Sequence, residues 1–154
     1  MKKAKTDPIQ VQLKILKVQE TLFFIDSELI SSIIKIEGDS INIEFGFKLE
    51  INNEKNELII HLNVKYFYPT DSELSKLIEI QTSNSFEITD LNNLISINEN
   101  EIEDKNGILP SILGIAIGTL RGVLVAKTSE SKLSDFPLPI VNPTEICNSM
   151  ILQA

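Results

Sequence analysis

Between Ile41 and Ile51 every second residue is apolar: Ile41, Ile43, Phe45, Phe47, Leu49 and Ile51 alternate with Asn42, Glu44, Gly46, Lys48 and Glu50. A period of two puts the apolar set on one face of an extended strand and the polar set on the other. A second run, Leu58, Ile60, Leu62, Val64, Tyr66 and Tyr68, follows the turn-forming residues Asn52, Asn53, Glu54, Lys55 and Asn56, and the two runs read as an antiparallel hairpin that Pro69 ends. Near the start, Ile9, Val11, Leu13 and Ile15 alternate with Gln10, Gln12 and Lys14 and lose phase at Leu16, which predicts a strand with one wet face. Leu22, Phe23, Phe24 and Ile25 form an apolar patch without alternation. A shorter strand is predicted over Leu77 to Gln81, with Phe86 and Ile88 as its extension. The sum is a largely antiparallel sheet of about four strands joined by short connections.

Residues 91–107 are polar and acidic, with Glu99, Glu101, Glu103 and Asp104 close together, and read as a solvated loop; a calcium loop would need a tighter ligand register and a turn glycine. The pattern then changes completely. Residues 108–126, ILPSILGIAIGTLRGVLVA, carry Arg121 as their one charge. Ten Ile, Leu and Val residues contribute about −0.3 to −0.6 kcal/mol each to membrane insertion, and an arginine near the middle takes back about 2.5–3.5. Length permits a span, but amphipathic strands expose an apolar face that something must cover, and only this stretch is apolar enough to do it. It is therefore read as a helix packed on the sheet, without membrane insertion.

Gly114, Gly118 and Gly122 recur at every fourth place of that helix, all on one face. Each costs about 1 kcal/mol relative to alanine in a helix interior, so the smooth face they make needs a reason. Either the helix packs tightly on its own sheet, or it also packs on a copy of itself. A helix apolar all round would leave a large exposed patch in a monomer, so an oligomer is expected, with Gly114, Gly118, Gly122, Ile115 and Arg121 at its interface. After Pro137, Pro139 and Pro143 comes a short C-terminal helix, with Asn142 placed to cap it, Pro143 at its first position and Glu145 where a capping-box carboxylate stands.

The 154 residues suit one domain, 1–154, able to bury roughly two thirds of its unfolded surface. Fourteen basic against twenty-two acidic residues leave a charge of −8 with no basic patch, which disfavours nucleic acid and anionic lipid. Cys147 is the one cysteine, so no internal disulfide forms, and Thr6, Asp7 and Pro8 interrupt any signal-peptide core; a cytoplasmic setting is expected. His61, the one histidine, sits on the polar face of a strand, and with a single cysteine it cannot build a zinc site. The glycine spacing is neither a dinucleotide nor a phosphate loop. No enzymatic activity and no cofactor are expected.

The order of elements resembles the SecB family of export chaperones. The resemblance is carried by IQVQLKI near the start, by INIEFGFKLEI and LIIHLNVKYFY in the hairpin, and by NGILPSILGIAIGTLRGVLVAKT followed by FPLPIVNPTEI, where Pro110, Ala116, Arg121, Gly122, Pro139 and Asn142 match residue types usual in the family. It departs at Ile117 and Gly118, where the export branch carries a charged pair, and of the acidic residues that meet the export motor only Glu20 lies near the first strand. The resemblance implies an α+β fold: a four-stranded antiparallel sheet packed against a long apolar helix, plus a short C-terminal helix. It further implies an ATP-independent holdase, generally a dimer of dimers, that binds unfolded polypeptides in apolar grooves and hands them to the translocase motor, or that guards an aggregation-prone antitoxin. Leu22, Phe23, Phe24, Phe67, Phe136, Leu138, Ile151 and Leu152 fall outside the alternating pattern and are the candidate client-binding residues; their alternative role is to cap the core or pack the oligomer. A protein of this fold dedicated to one partner is the second reading.

Overall fold

The computed structural model describes residues 11–71, 73–99 and 101–152, with side chains as far as Asn148. Strands β1 (Leu13–Ile25), β2 (Asn42–Asn52), β3 (Glu57–Thr70) and β4 (Glu73–Ile88) form one antiparallel sheet in the order β1-β4-β3-β2. The hairpin lies where the alternation puts it, with Phe45 opposite Val64, Phe47 opposite Leu62 and Leu49 opposite Ile60. Leu58, Ile60, Leu62, Val64 and Tyr66 are buried on the inner face. The outer residues of the same strand, His61, Asn63 and Lys65, are only partly covered.

The first strand is longer than its alternation suggests. Leu22, Phe23 and Phe24 are not a separate patch but part of β1, which is irregular between Ile15 and Lys17 and again between Glu20 and Leu22. An extra residue at a bulge shifts the side-chain phase. The loss of phase at Leu16 is therefore a local event in a continuous strand, and Leu13, Ile15, Val18, Phe23 and Ile25 stay opposite the inward-facing Ile88, Phe86, Asn84, Ile80 and Ile78 of β4. Similarly, β4 runs on through Ser83, Asn84 and Ser85, because pairing on both sides outweighs their weak strand preference.

Residues 91–107 are not a solvated loop. They fold as a one-turn helix α2 (Leu91–Leu94) and a small hairpin of β5 (Ile95–Asn98) and β6 (Glu101–Asp104). Leu91, Leu94 and Ile95 are buried and tie the segment to the core, while Glu99, Glu101 and Glu103 are exposed. A short helix α1 (Ser27–Ser32), capped by the Asp26 carboxylate on the Leu29 amide, follows β1 and plugs the core with Ile30.

Helix α3 (Leu109–Thr128) crosses the inner face, burying Leu109, Ile112, Leu113, Ala116, Ile117, Leu120 and Leu124. It is long and apolar enough to span a membrane, yet this stripe packs on β3 and β4. Its start is fixed from the hairpin: the Asp104 carboxylate accepts hydrogen bonds from the Ile108 and Leu109 amides at 3.0 and 2.9 Å. Two orphan donors and the positive end of the helix are satisfied by one side chain. Replacement of that cap, Asp104→Ala, is expected to cost about 1–2 kcal/mol, read as a lower urea midpoint with an unchanged slope. Helix α4 (Pro143–Leu152) follows the proline-containing segment, its start held by Asn142, which accepts from the Thr144 amide at 3.0 Å.

Candidate protein-binding surfaces

One sheet face and one helix cannot cover each other completely. On α3 the stripe opposite the sheet carries Ile115, Gly118, Gly122 and Val125, with Ile115 and Val125 40% and 50% exposed. A Cβ on Gly118 or Gly122 would meet nothing within 4 Å, and one on Gly114 only the Pro143 ring at 3.6 Å. Close packing of the helix on its own sheet therefore does not account for Gly118 and Gly122; their smooth face points outward.

Arg121 does not point that way. Its Nε donates to the Leu138 carbonyl at 3.2 Å and its Nη2 to the Pro139 carbonyl at 3.1 Å, clamping the proline-containing strap, residues 136–142, that leads to α4. Upstream, the Tyr66 hydroxyl donates to the Phe136 carbonyl at 3.0 Å, and burial pushes that phenol up to about 12. The half-buried Phe136 ring lies against Gly38, where a Cβ would stand 3.0 Å from Cε1, so glycine makes room for it. Leu138 is buried in the core. In contrast, Ile140 is 97% exposed.

The loop after α1 has the same construction. Lys132 Nζ donates to the Ser31 carbonyl at 3.1 Å and to that of Ile33, and the Glu37 amide donates to the Tyr68 hydroxyl at 3.1 Å. Between these fixed points Ile34 is 96% exposed. Neither isoleucine could be singled out in the sequence, where each is one apolar residue without periodicity.

At the sheet edge, Leu22, Phe23 and Phe24 are 38%, 38% and 39% exposed. Lys127 lies over the Phe23 ring at 4.6 Å and pairs with Glu20 at 3.3 Å; Lys76 lies over the Phe24 ring at 4.8 Å and pairs with Glu79 at 2.7 Å. Glu20 thus faces α3 rather than the outer side of the sheet. Phe67 is half-buried on β3, with β4 between it and the β1 residues. The structure therefore distributes the candidate client-binding residues over the β1 edge, β3 and the strap; the side chains of Ile151 and Leu152 lie outside the described residues.

The outer face carries two held carboxylates. Glu79, 7% exposed, accepts from Lys76, from Asn63 at 3.0 Å and from Gln81 at 3.4 Å. Lys76 foremost, then Asn63, lowers its carboxyl from 4.5 to about 2. The ionised form thus stabilises the fold fully above pH 4.5, and that contribution is lost as pH falls through about 2. The Glu79→Gln variant is expected to lose about 1–2 kcal/mol at neutral pH, since Lys76 is partly screened by solvent. Its melting temperature is expected to fall less steeply than that of the wild type between pH 5 and pH 2. Glu50, beside His61 Nε2 at 3.2 Å and Lys48 at 3.5 Å, is likewise held below its ordinary range, chiefly by His61.

No protein-family model matches the chain, and no curated protein matches it in sequence. Among solved structures it is similar to the Mycobacterium tuberculosis SecB-like chaperone Rv1957, determined in complex with a ChAD peptide from the HigA1 antitoxin. The match has a TM-score of 0.51 at 7% identity and covers 84% of this chain and 90% of that one. The chain has a SecB-like fold. A Streptococcus agalactiae protein of unknown function matches 86% of this chain and 98% of its own at 14% identity, with a TM-score of 0.44. The SecB-like architecture accounts for the four-stranded antiparallel sheet, the long α3 on one face of it and the short α4 after a proline-containing strap.

Proposed function

We propose that the chain is a protein-binding chaperone that acts as an oligomer and holds unfolded or aggregation-prone polypeptides without ATP. The observation that carries this reading is a SecB-like fold whose single chain leaves apolar side chains uncovered on three surfaces: the outer stripe of α3, the β1 edge and the two clamped loops. Exposed apolar patches of this kind mark association. The outer stripe of α3, with no Cβ at Gly118 and Gly122, is assigned to packing against other copies of the chain, as a dimer of dimers; the remaining surfaces are assigned to clients. The cytoplasm is the compartment that suits this role.

The second reading is a binding protein dedicated to one partner. It draws on the antitoxin peptide in the M. tuberculosis complex. Handover to an export motor is less well supported, because the outer-face Glu79 and Glu50 are engaged by basic neighbours and Glu20 faces inward.

Binding is tested with a protein kept permanently unfolded by reduction and carboxymethylation. The complex is expected to co-elute with the oligomer in size-exclusion chromatography, while the same protein in its native disulfide-bonded form elutes separately. Absence of any complex across micromolar concentrations would overturn the proposal.

A further inference from the structure

A dimer of dimers needs at least two different two-fold interfaces, and the outer stripe of α3 supplies one. The sheet order β1-β4-β3-β2 leaves two edges, and among the described residues no further strand pairs with either. An open edge presents a row of unpaired amides and carbonyls that another strand can complete. The β1 edge is interrupted by its irregularities after Ile15 and after Glu20, whereas β2 holds one regular register from Asn42 to Asn52 and contains no proline. The inward side chains of β2 also lack the cover that their neighbours on β3 have. Phe45, Phe47 and Leu49 are half-buried and Ile43 is 37% exposed, while Val64, Leu62, Ile60 and Tyr66 opposite them are buried.

The residue pattern of β2 names what completes this edge. When a strand pairs antiparallel with its own copy across a two-fold axis, residues equidistant from the axis stand opposite each other on the same face. With the axis at Gly46, Glu44 of each copy meets Lys48 of the other, Phe45 meets Phe47, Ile43 meets Leu49, and glycine meets glycine. Moving the axis to Phe47 sets Glu44 against Glu50, moving it to Lys48 opposes two ammonium groups, and moving it to Phe45 leaves Glu44 facing glycine. Opposite charges and aromatic pairs stabilise cross-strand neighbours, and like charges destabilise them. Both charges are available, since Glu44 takes part in none of the ion pairs among the described residues and the Lys48 side chain is 71% exposed beside Glu50.

We propose that β2 pairs antiparallel with β2 of a second copy, centred on Gly46, and joins two four-stranded sheets edge to edge. This rests on the oligomeric part of the chaperone reading and adds the interface that α3 does not supply.

The test places single cysteines on β2 of the full-length chain. Gly46 does not have a positive φ, and a Cβ there would stand 3.4 Å from that of Asn63, so Gly46→Cys is accommodated with a small shift. Across the axis the two introduced thiols face each other at the Cα separation of about 4.5–5.5 Å that a disulfide spans. Under copper–phenanthroline oxidation Gly46→Cys is expected to run as a covalent dimer on a non-reducing gel. Glu44→Cys, which the register sets about 13 Å along the strand from its own copy, is expected to stay uncrosslinked, as is the wild type, whose Cys147 is buried. Independently of cysteine chemistry, Glu44→Lys is expected to weaken self-association about tenfold in sedimentation equilibrium at low salt, and the double variant Glu44→Lys with Lys48→Glu to recover most of that loss, with circular dichroism unchanged. Cross-linking of Glu44→Cys as efficient as that of Gly46→Cys, or self-association unmoved by Glu44→Lys, would overturn the assignment. If the wild type sediments as an oligomer while Gly46→Cys does not cross-link, the pairing of β2 falls and the oligomeric reading stands. If the wild type is monomeric across micromolar concentrations, both fall.

Discussion

The Gly118→Leu variant is expected to fold and to lose its assembly. Within the chain nothing lies within 4 Å of the new Cβ, so the sheet, the core and the strap are not disturbed. The helix itself gains, since replacing an interior glycine by a good helix former is worth about 1 kcal/mol. Across an interface between copies the sign reverses, because a leucine pushed into a close backbone approach costs about 1–3 kcal/mol per copy by overpacking. Far-ultraviolet circular dichroism is expected to keep its helical signal while light scattering shows a smaller species. An unchanged mass with the fold intact would remove the assigned role of the smooth face.

Two residues further on, the opposite behaviour is expected. Leu120 is fully buried against the sheet. Leu120→Ala removes that packing and leaves a cavity that neighbouring strands cannot close, at a cost of about 3 kcal/mol. For a chain of this size the melting temperature is expected to fall by about 6–12 °C. A shift below about 2 °C would mean that α3 is not seated on β3 and β4 as described. The pair separates the two faces of one helix, one governing folding and the other association.

The main architecture was legible because its signals are periodic. That Phe45, Phe47 and Leu49 share one face of the hairpin with Val64, Leu62 and Ile60 follows from alternation, and the apolar stretch containing Leu113, Ala116 and Leu120 was the one segment apolar enough to cover them. Where pairing with a distant strand decides, the pattern misleads. The bulges of β1 are set by β4, so Leu16 looks like the end of a strand that continues to Ile25. The hairpin of β5 and β6 is too short and too acidic to signal itself, and is held in place by Leu91, Leu94 and Ile95.

The candidate surfaces were less legible for a related reason. Apolar residues out of phase, such as Leu138 and Ile140, look alike in the sequence; Arg121 and Tyr66 fix the strap so that the first is buried and the second exposed. Arg121 itself carries no mark of that duty in a stretch whose one charge it is. The outward direction of Gly118 and Gly122 depends on which stripe of α3 meets the sheet, and that is settled by tertiary packing.

The most direct test is protection of several unrelated unfolding proteins from aggregation. With the chain present at one assembly per client and light scattering followed during heating, suppression is predicted for every client, without ATP. Protection of none, or of a single client among many, would contradict the account of a general holdase.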